Sequence, residues 1–339
     1  MVAPHTGGDP MSSKKWLNCR LVDIQEQLSV SERVSRPVIS RLLYQHDYSL
    51  KSNVKRVEGK VSPERNTQFE YIYQQRNRHQ QKGEPVISVD TKKKELIGNF
   101  KNHGTIWCQE AEAVNCHDFP QDALGKAVPY GIYDLNHNQG TVYIGQSADT
   151  PTFAVANIAD WCQHEMALRY PGKKRLMIEA DAGGSNGYRS RVFKQQLQEK
   201  IANALGITVT VCHYPPGTSK WNPIEHRLFS EISKTWAGCP LRSFEEMVQY
   251  VGKTRTQTGL QVSAKRNTAL YQKGVKVSDE VMEKLQLIHP LVCPTWNYTI
   301  TPQPQKFTKK TGKAHSSNPQ RASFPARIRG TLGKLLWPG

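Results

Sequence analysis

An acid in the first turn of a helix, directly behind a proline- and glycine-rich loop, constrains this chain more than any other feature. The stretch runs His213-Tyr-Pro-Pro-Gly-Thr-Ser-Lys-Trp-Asn-Pro-Ile-Glu-His226. The apolar residues 207–212 ahead of it read as a strand. Asn222 then reads as an N-cap and Pro223 as the first helical residue, so Glu225 falls in the first turn. Two further acids follow short apolar runs, Asp90 after Val86-Ile-Ser-Val89 and Asp181 after Leu176-Met-Ile-Glu-Ala180. Two strand tips and a helix start can gather three carboxylates into one all-oxygen cluster. That donor set suits Mg²⁺ or Mn²⁺ rather than zinc. In a basic protein its natural use is phosphodiester chemistry on nucleic acid.

The elements around these acids fix the expected architecture. Residues 86–89, 128–133 and 141–145 read as strands, the last two joined by the turn-rich Asn136-His-Asn-Gln-Gly140. A helix over 153–169, a strand over 175–180, a helix over 188–205 and the strand 207–212 follow, and a last core helix starts near Pro223. This order predicts an α/β protein, a ribonuclease-H-like mixed sheet with flanking helices. A small all-α unit precedes it. Leu21, Ile24 and Leu28 recur at helical spacing, and Ser35 is placed to cap a second helix with Ile39, Leu42 and Leu43 inward. Arg36, Ser40, Arg41 and Gln45 then point outward. Such a pair reads as a helix-turn-helix whose second helix contacts DNA; an ordinary helical hairpin with a basic face carries the same pattern.

The expected division is a disordered or truncated N-terminus over 1–15, the helix-turn-helix domain over 16–60 and a basic helical linker over 61–84. The catalytic core follows over 85–240, its C-terminal extension over 241–302, and a basic disordered tail over 303–339. The net charge of +17 argues for a polyanionic partner, a balance that basic ribosomal and membrane-surface proteins share, and the tail alone holds eight basic residues and no acid. Seven cysteines without a Cys-x-x-Cys pair indicate a reducing compartment. Cys116-His117 is half a zinc site with no second pair. No run of about 18 apolar residues suggests a membrane span, so a soluble, cytoplasmic, nucleoid-associated protein is expected.

Each acid also has a plainer reading. Glu225 stands where a carboxylate closes a capping box with Asn222. Asp181 precedes Ala-Gly-Gly-Ser-Asn-Gly187 and can serve as a turn former, while Asp90 can pair with Lys92, Lys93 and Lys94. Asp134, Asp149, Glu165 and Glu179 compete for the same role, and Glu179 shares strand parity with Asp181.

Longer motifs narrow the choice. Val89-Asp-Thr-Lys-Lys-Lys-Glu-Leu-Ile-Gly-Asn-Phe-Lys-Asn102, His117-Asp-Phe-Pro120, Pro129-Tyr-Gly-Ile-Tyr-Asp134, Ala180-Asp-Ala-Gly-Gly-Ser-Asn-Gly-Tyr-Arg189 and the stretch 215–229 closely resemble bacterial insertion-sequence transposases of the Rhodopirellula-type DDE group. The Asn-Pro-Ile-Glu word is also similar to that of mariner-like transposases. The resemblance covers roughly residues 8–302. It implies a ribonuclease-H-like catalytic domain with Asp90, Asp181 and Glu225 as catalytic acids and ligands of two Mg²⁺ or Mn²⁺ ions, about 3.5–4 Å apart. It supports the helix-turn-helix and implies cleavage of element ends followed by 3′-end strand transfer. The partners are double-stranded DNA, as terminal inverted repeats and target, and further copies of the chain in a synaptic complex. Candidate DNA contacts are Arg36, Ser40, Arg41, Gln45, Lys92, Lys93, Lys94, Arg189, Arg191, Lys194, Lys220 and Arg227. A remnant that only binds DNA, or a nuclease of the same fold that does not join strands, are the alternatives.

Overall fold

A computed structural model describes residues 6–8, 15–17, 19–28, 33–51, 63–115 and 119–304. The turn at 29–32, the Cys116-His117 pair and the tail from 305 lie outside the described residues. The chain divides into two compact units, Met1–Val61 and Ser62–Gly339.

In the first unit, β1 (Thr6–Gly8) pairs antiparallel with β2 (Lys15–Leu17). Helices α1 (Leu21–Leu28) and α2 (Arg36–Gln45) follow. Ile24 and Ile39 are buried, and two polar contacts fix the helices to one another. Gln25 Nε2 donates to the Val34 carbonyl at 3.0 Å, and Arg36 Nε donates to Gln25 Oε1 at 3.0 Å. Ser35 has the extended backbone of an N-cap but makes no side-chain cap bond. Leu42, expected to point inward, is 45% exposed. Two short helices bury only a narrow stripe, which Ile39 and the half-buried Leu43 fill.

The second unit opens with α3 (Arg65–Gln81), then β3 (Val86–Thr91), β4 (Glu95–Ile97), β5 (Gly125–Asp134) and β6 (Gln139–Gly145). Helix α4 (Pro151–Trp161) passes through a π turn, Cys162–Met166, into α5 (Ala167–Arg169), and β7 (Arg175–Ala180) follows. Next come α6 (Arg191–Leu197), β8 (Thr208–His213), α7 (Ser230–Thr235) entered through the π turn Glu225–Phe229, and α8 (Phe244–Gly252). The last elements are β9 (Gln261–Asn267), α9 (Asp279–Glu283), β10 (Leu287–Ile288) and β11 (Asn297–Ile300).

Nine strands form one sheet in the order β10-β11-β8-β7-β3-β5-β6-β9, with β4 on β5. β3, β7 and β8 are parallel neighbours, while β5 runs antiparallel to β3. This is the mixed α/β sheet with flanking helices that the element order predicts. The less regular residues after 252 turn out to close both sides of it: β9 adds to β6, and β11 to β8. Helices α4 and α6 cover one face through Phe153, Ile158, Phe193 and Leu197, packed on Ile87, Val89, Ile178 and Val211. On the other face Ile224, Leu228, Phe229, Met247 and Val251 pack on Tyr133, Val142 and Ile144. Helix α3 is held there too, its Ile72 clustering with Val86, Met177, Cys212 and Tyr214. Among the described residues no helix is long and apolar enough to cross a membrane.

Two glycines set the height of the Glu225 segment over the sheet. A Cβ on Gly131 would stand 2.5 Å from Phe229 and 2.9 Å from Ile224, and one on Gly140 would stand 2.4 Å from Leu228. Gly131 is the register partner of Asp90, so the close approach lies next to the first acid. Gly131→Ala is expected to tilt the helix outward and cost about 1–3 kcal/mol by overpacking, read by denaturant unfolding. Unchanged stability would show that the segment can shift freely.

Candidate active site

Strand parity places the acids on the face that carries α3 and α7. Ile87 and Val89 face the α4–α6 side, so Val86, Ser88 and Asp90 face the other. β3 and β7 are aligned Val89 to Ala180, which brings Asp181 level with Asp90 at the carboxyl ends of two parallel strands. Asp90 lies inside β3 rather than beyond it, and its Oδ1 accepts from the Thr91 amide at 2.7 Å. The chain leaving β8 passes through Pro215 and Pro216, turns at Gly217 (φ +75°) and enters the helix at Pro223.

Asn222 ties these elements together. Its side chain is wholly buried, and Nδ2 donates to Asp181 Oδ1 at 2.9 Å. Its Oδ1 accepts from the Ser88 hydroxyl, whose oxygen accepts from the Ile224 amide at 3.2 Å. Ser88 thus supplies the cap expected of Asn222, and the Asn222 amide bonds to the Ser219 carbonyl instead of to Glu225. The capping box is not formed. The Glu225 carboxylate instead stands near enough to Asp90 to raise that acid's affinity for a proton.

The electrostatics record how close the acids are. Burial, then the Asp181 charge, then contact with Glu225 push the Asp90 carboxyl up to about 8, against the pull of the Thr91 amide. Asp181 is raised by burial and by Glu225, with its Asn222 bond opposing. Among the described residues no three acid, His or Cys side chains close to a metal ion's ligand geometry. Like charges this near share a proton and stand apart unless a cation lies between them. An all-oxygen set whose charges raise one another's affinity for a proton fits a divalent cation.

The competing acids are used elsewhere. Glu179 is fully buried, and both its oxygens accept from Arg76 at 2.7 Å; the Tyr214 hydroxyl also donates to it at 2.7 Å. Asp134, equally buried, accepts from the Tyr170 hydroxyl at 2.7 Å and pairs with Arg169 at 3.3 Å. Glu165 pairs with Arg169 at 2.7 Å. Asp149 accepts from Thr91 Oγ1 at 3.1 Å, near the cluster but one residue removed from it. His213 is buried, its ring nitrogens 2.8 Å from the Asn186 carbonyl and 3.0 Å from that of Trp296. It holds the glycine loop in place, and burial keeps it neutral, pushing it down to about 4.

The basic candidates separate into groups. Arg189 is exposed, rests 5.1 Å over the Tyr188 ring and lines a cleft with Asp181, Gly183, Gly184 and Pro216. Lys93, Lys94, Lys220 and Arg227 are exposed near the acids in sequence. Lys92 is turned inward, 3.3 Å from Glu95 and 4.8 Å from the Trp236 ring centre. Arg191 pairs with Asp279 at 2.6 Å, and Lys194 lies half-buried over Tyr298. In the other unit Arg36, Arg41 and Gln45 are exposed and Ser40 half-buried. Sequence reasoning missed Ser88 and the tethering role of Asn222; an N-cap and a tether look alike in a linear chain.

A family model for the Rhodopirellula transposase DDE domain matches residues 1–302. The chain belongs to that family. It is a DDE transposase of insertion-sequence type, an enzyme that cuts and joins DNA with the aid of divalent metal. No curated protein sequence matches it. Similar solved structures include the Mos1 transposase paired-end complex with left transposon end, at 12% identity and TM-score 0.42, covering 72% of this chain and 73% of that one. The Mos1 mariner paired end complex with Mn follows at 15% identity and TM-score 0.41, covering 68% of each chain.

Proposed function

We propose that Asp90, Asp181 and Glu225 are the catalytic acids of this transposase and hold a pair of Mg²⁺ or Mn²⁺ ions. The observation that carries the reading is the convergence of three carboxylates from β3, β7 and the start of the Glu225 helix, where burial first and then the neighbouring acids push the Asp90 carboxyl up to about 8. The metal supplies activation of the attacking hydroxyl and neutralises charge on the phosphate. Asn222 keeps Asp181 aimed at the cluster, and Gly183 and Gly184 leave room for a phosphate backbone. Arg189, Lys93, Lys94, Lys220 and Arg227 supply positive charge to hold the strand.

In the same reading α1 and α2 form the helix-turn-helix that binds the element's terminal inverted repeats, with Arg36, Arg41 and Gln45 at the DNA. Hydrolysis frees the element's 3′ ends, and these attack target DNA inside an assembly of several copies, in the cytoplasm at the nucleoid. Joining of a labelled 3′ end to a second duplex tests strand transfer directly; cleavage without joining would leave only a nuclease.

Glu225→Gln separates the metal role from a capping role. A cap tolerates Gln at this position, so the melting temperature should hold while Mn²⁺-dependent cleavage falls by about two orders of magnitude or more. Full activity in this variant would remove Glu225 from the triad.

A further inference from the structure

Trp221 stands one residue before Asn222 and is 56% exposed, two residues past Ser219, which lines the cleft that also holds Asp181 and Arg189. It is firmly mounted. Its amide donates to the Thr218 carbonyl at 2.8 Å, and the next residue is bonded to Asp181. The Phe69 ring of α3 meets the indole edge-on, 6.2 Å between centres and 72° between planes. A cation flanks each ring: Lys220 Nζ lies 5.7 Å from the Trp221 centre, and the Arg65 guanidinium lies 6.0 Å from that of Phe69. Arginine, phenylalanine, tryptophan and lysine therefore form a row, two rings between two cations, that starts one residue from Asn222. Core packing does not require this, since more than half the indole is left to solvent. Cations that neutralise phosphates, interleaved with rings that stack on bases, are the pattern of single-strand recognition.

Resting on the triad reading above, we propose that Trp221 is a stacking platform for an unpaired base beside the phosphate being cut. Asp90 and Asp181 are half-buried at the strand ends, and unpairing of the adjoining base would let the strand bend toward them. An indole at a fixed distance from Asp181 would hold the released base and keep the strand in register.

The probe is a DNA duplex with a short central bubble that contains 2-aminopurine, titrated with the full chain in the absence of divalent metal. Stacking quenches the probe and should favour the bubble over the fully paired duplex by about tenfold. Trp221→Ala and Trp221→Leu are expected to lose both effects at unchanged melting temperature, and Trp221→Phe to keep most of them. The leucine variant retains apolar bulk without a ring, so it separates stacking from simple burial. Quenching and bubble preference in Trp221→Leu equal to those of the unaltered chain overturn the proposal, as does a lack of quenching by the unaltered chain. The readout needs no catalysis. A chain that quenches the bubble but nicks no plasmid with Mn²⁺ supports stacking and sinks the triad.

Discussion

Asp181→Asn is expected to lower Mn²⁺- or Mg²⁺-dependent cleavage by about three orders of magnitude or more, since the metal contribution amounts to several kcal/mol. The substitution is nearly isosteric, and the new side-chain oxygen can still accept from Asn222, so folding and DNA binding should persist. Two measurements check it. Plasmid nicking should vanish. Thermal melting of the unaltered chain should rise with added Mn²⁺, because the ion binds only the folded state, and that rise should be absent in the variant. Nicking at the unaltered rate would remove Asp181 from the chemistry.

Arg76→Ala should give the largest loss of stability, about 3–5 kcal/mol, by leaving a buried carboxylate without its cation. Glu179 is fully buried and its remaining partner is the Tyr214 hydroxyl. Denaturant unfolding measures the loss directly. The double variant Arg76→Met with Glu179→Gln should recover most of it, since a neutral amide can still accept from Tyr214 and no charge remains to be desolvated. A double variant as unstable as Arg76→Ala would mean that the guanidinium's hydrogen bonds to Glu179 and Tyr214, rather than relief of a buried unpaired charge, hold α3.

The parts of this protein legible in its sequence are those where burial is two-sided or where an acid interrupts an apolar run. The strands Val86–Thr91, Arg175–Ala180 and Thr208–His213 are nearly continuous apolar segments, and helices cover both their faces. β9 was not legible, because Gln-Val-Ser-Ala-Lys-Arg-Asn is an edge strand with one buried side and mostly polar residues. Helix α3 falls within the basic helical linker expected over 61–84, but its packing against the sheet was not legible. It buries Gln68, Ile72 and His79 and is anchored by hydrogen bonds and an ion pair, which leave no apolar periodicity. At the site, strand parity grouped Glu179 with Asp181 correctly as to face. It could not show that Arg76, some thirty residues beyond the first unit's helices, would claim Glu179, since such a pairing spans over a hundred positions.

The order in which the sheet is completed bears on how this enzyme is made. All three acids have been synthesised by Glu225, yet β9 and β11, which close the two sides of the central strands, end at Asn267 and Ile300. A nascent or prematurely terminated chain that stops between Glu225 and Gln261 carries all three acids of the proposed triad together with bare backbone along β6 and β8. Such open edges invite pairing with other chains, and contacts this distant in sequence form slowly. Incomplete products should therefore aggregate rather than cut, which leaves DNA breakage to chains whose translation has run some seventy-five residues past Glu225, the last of the three proposed catalytic carboxylates.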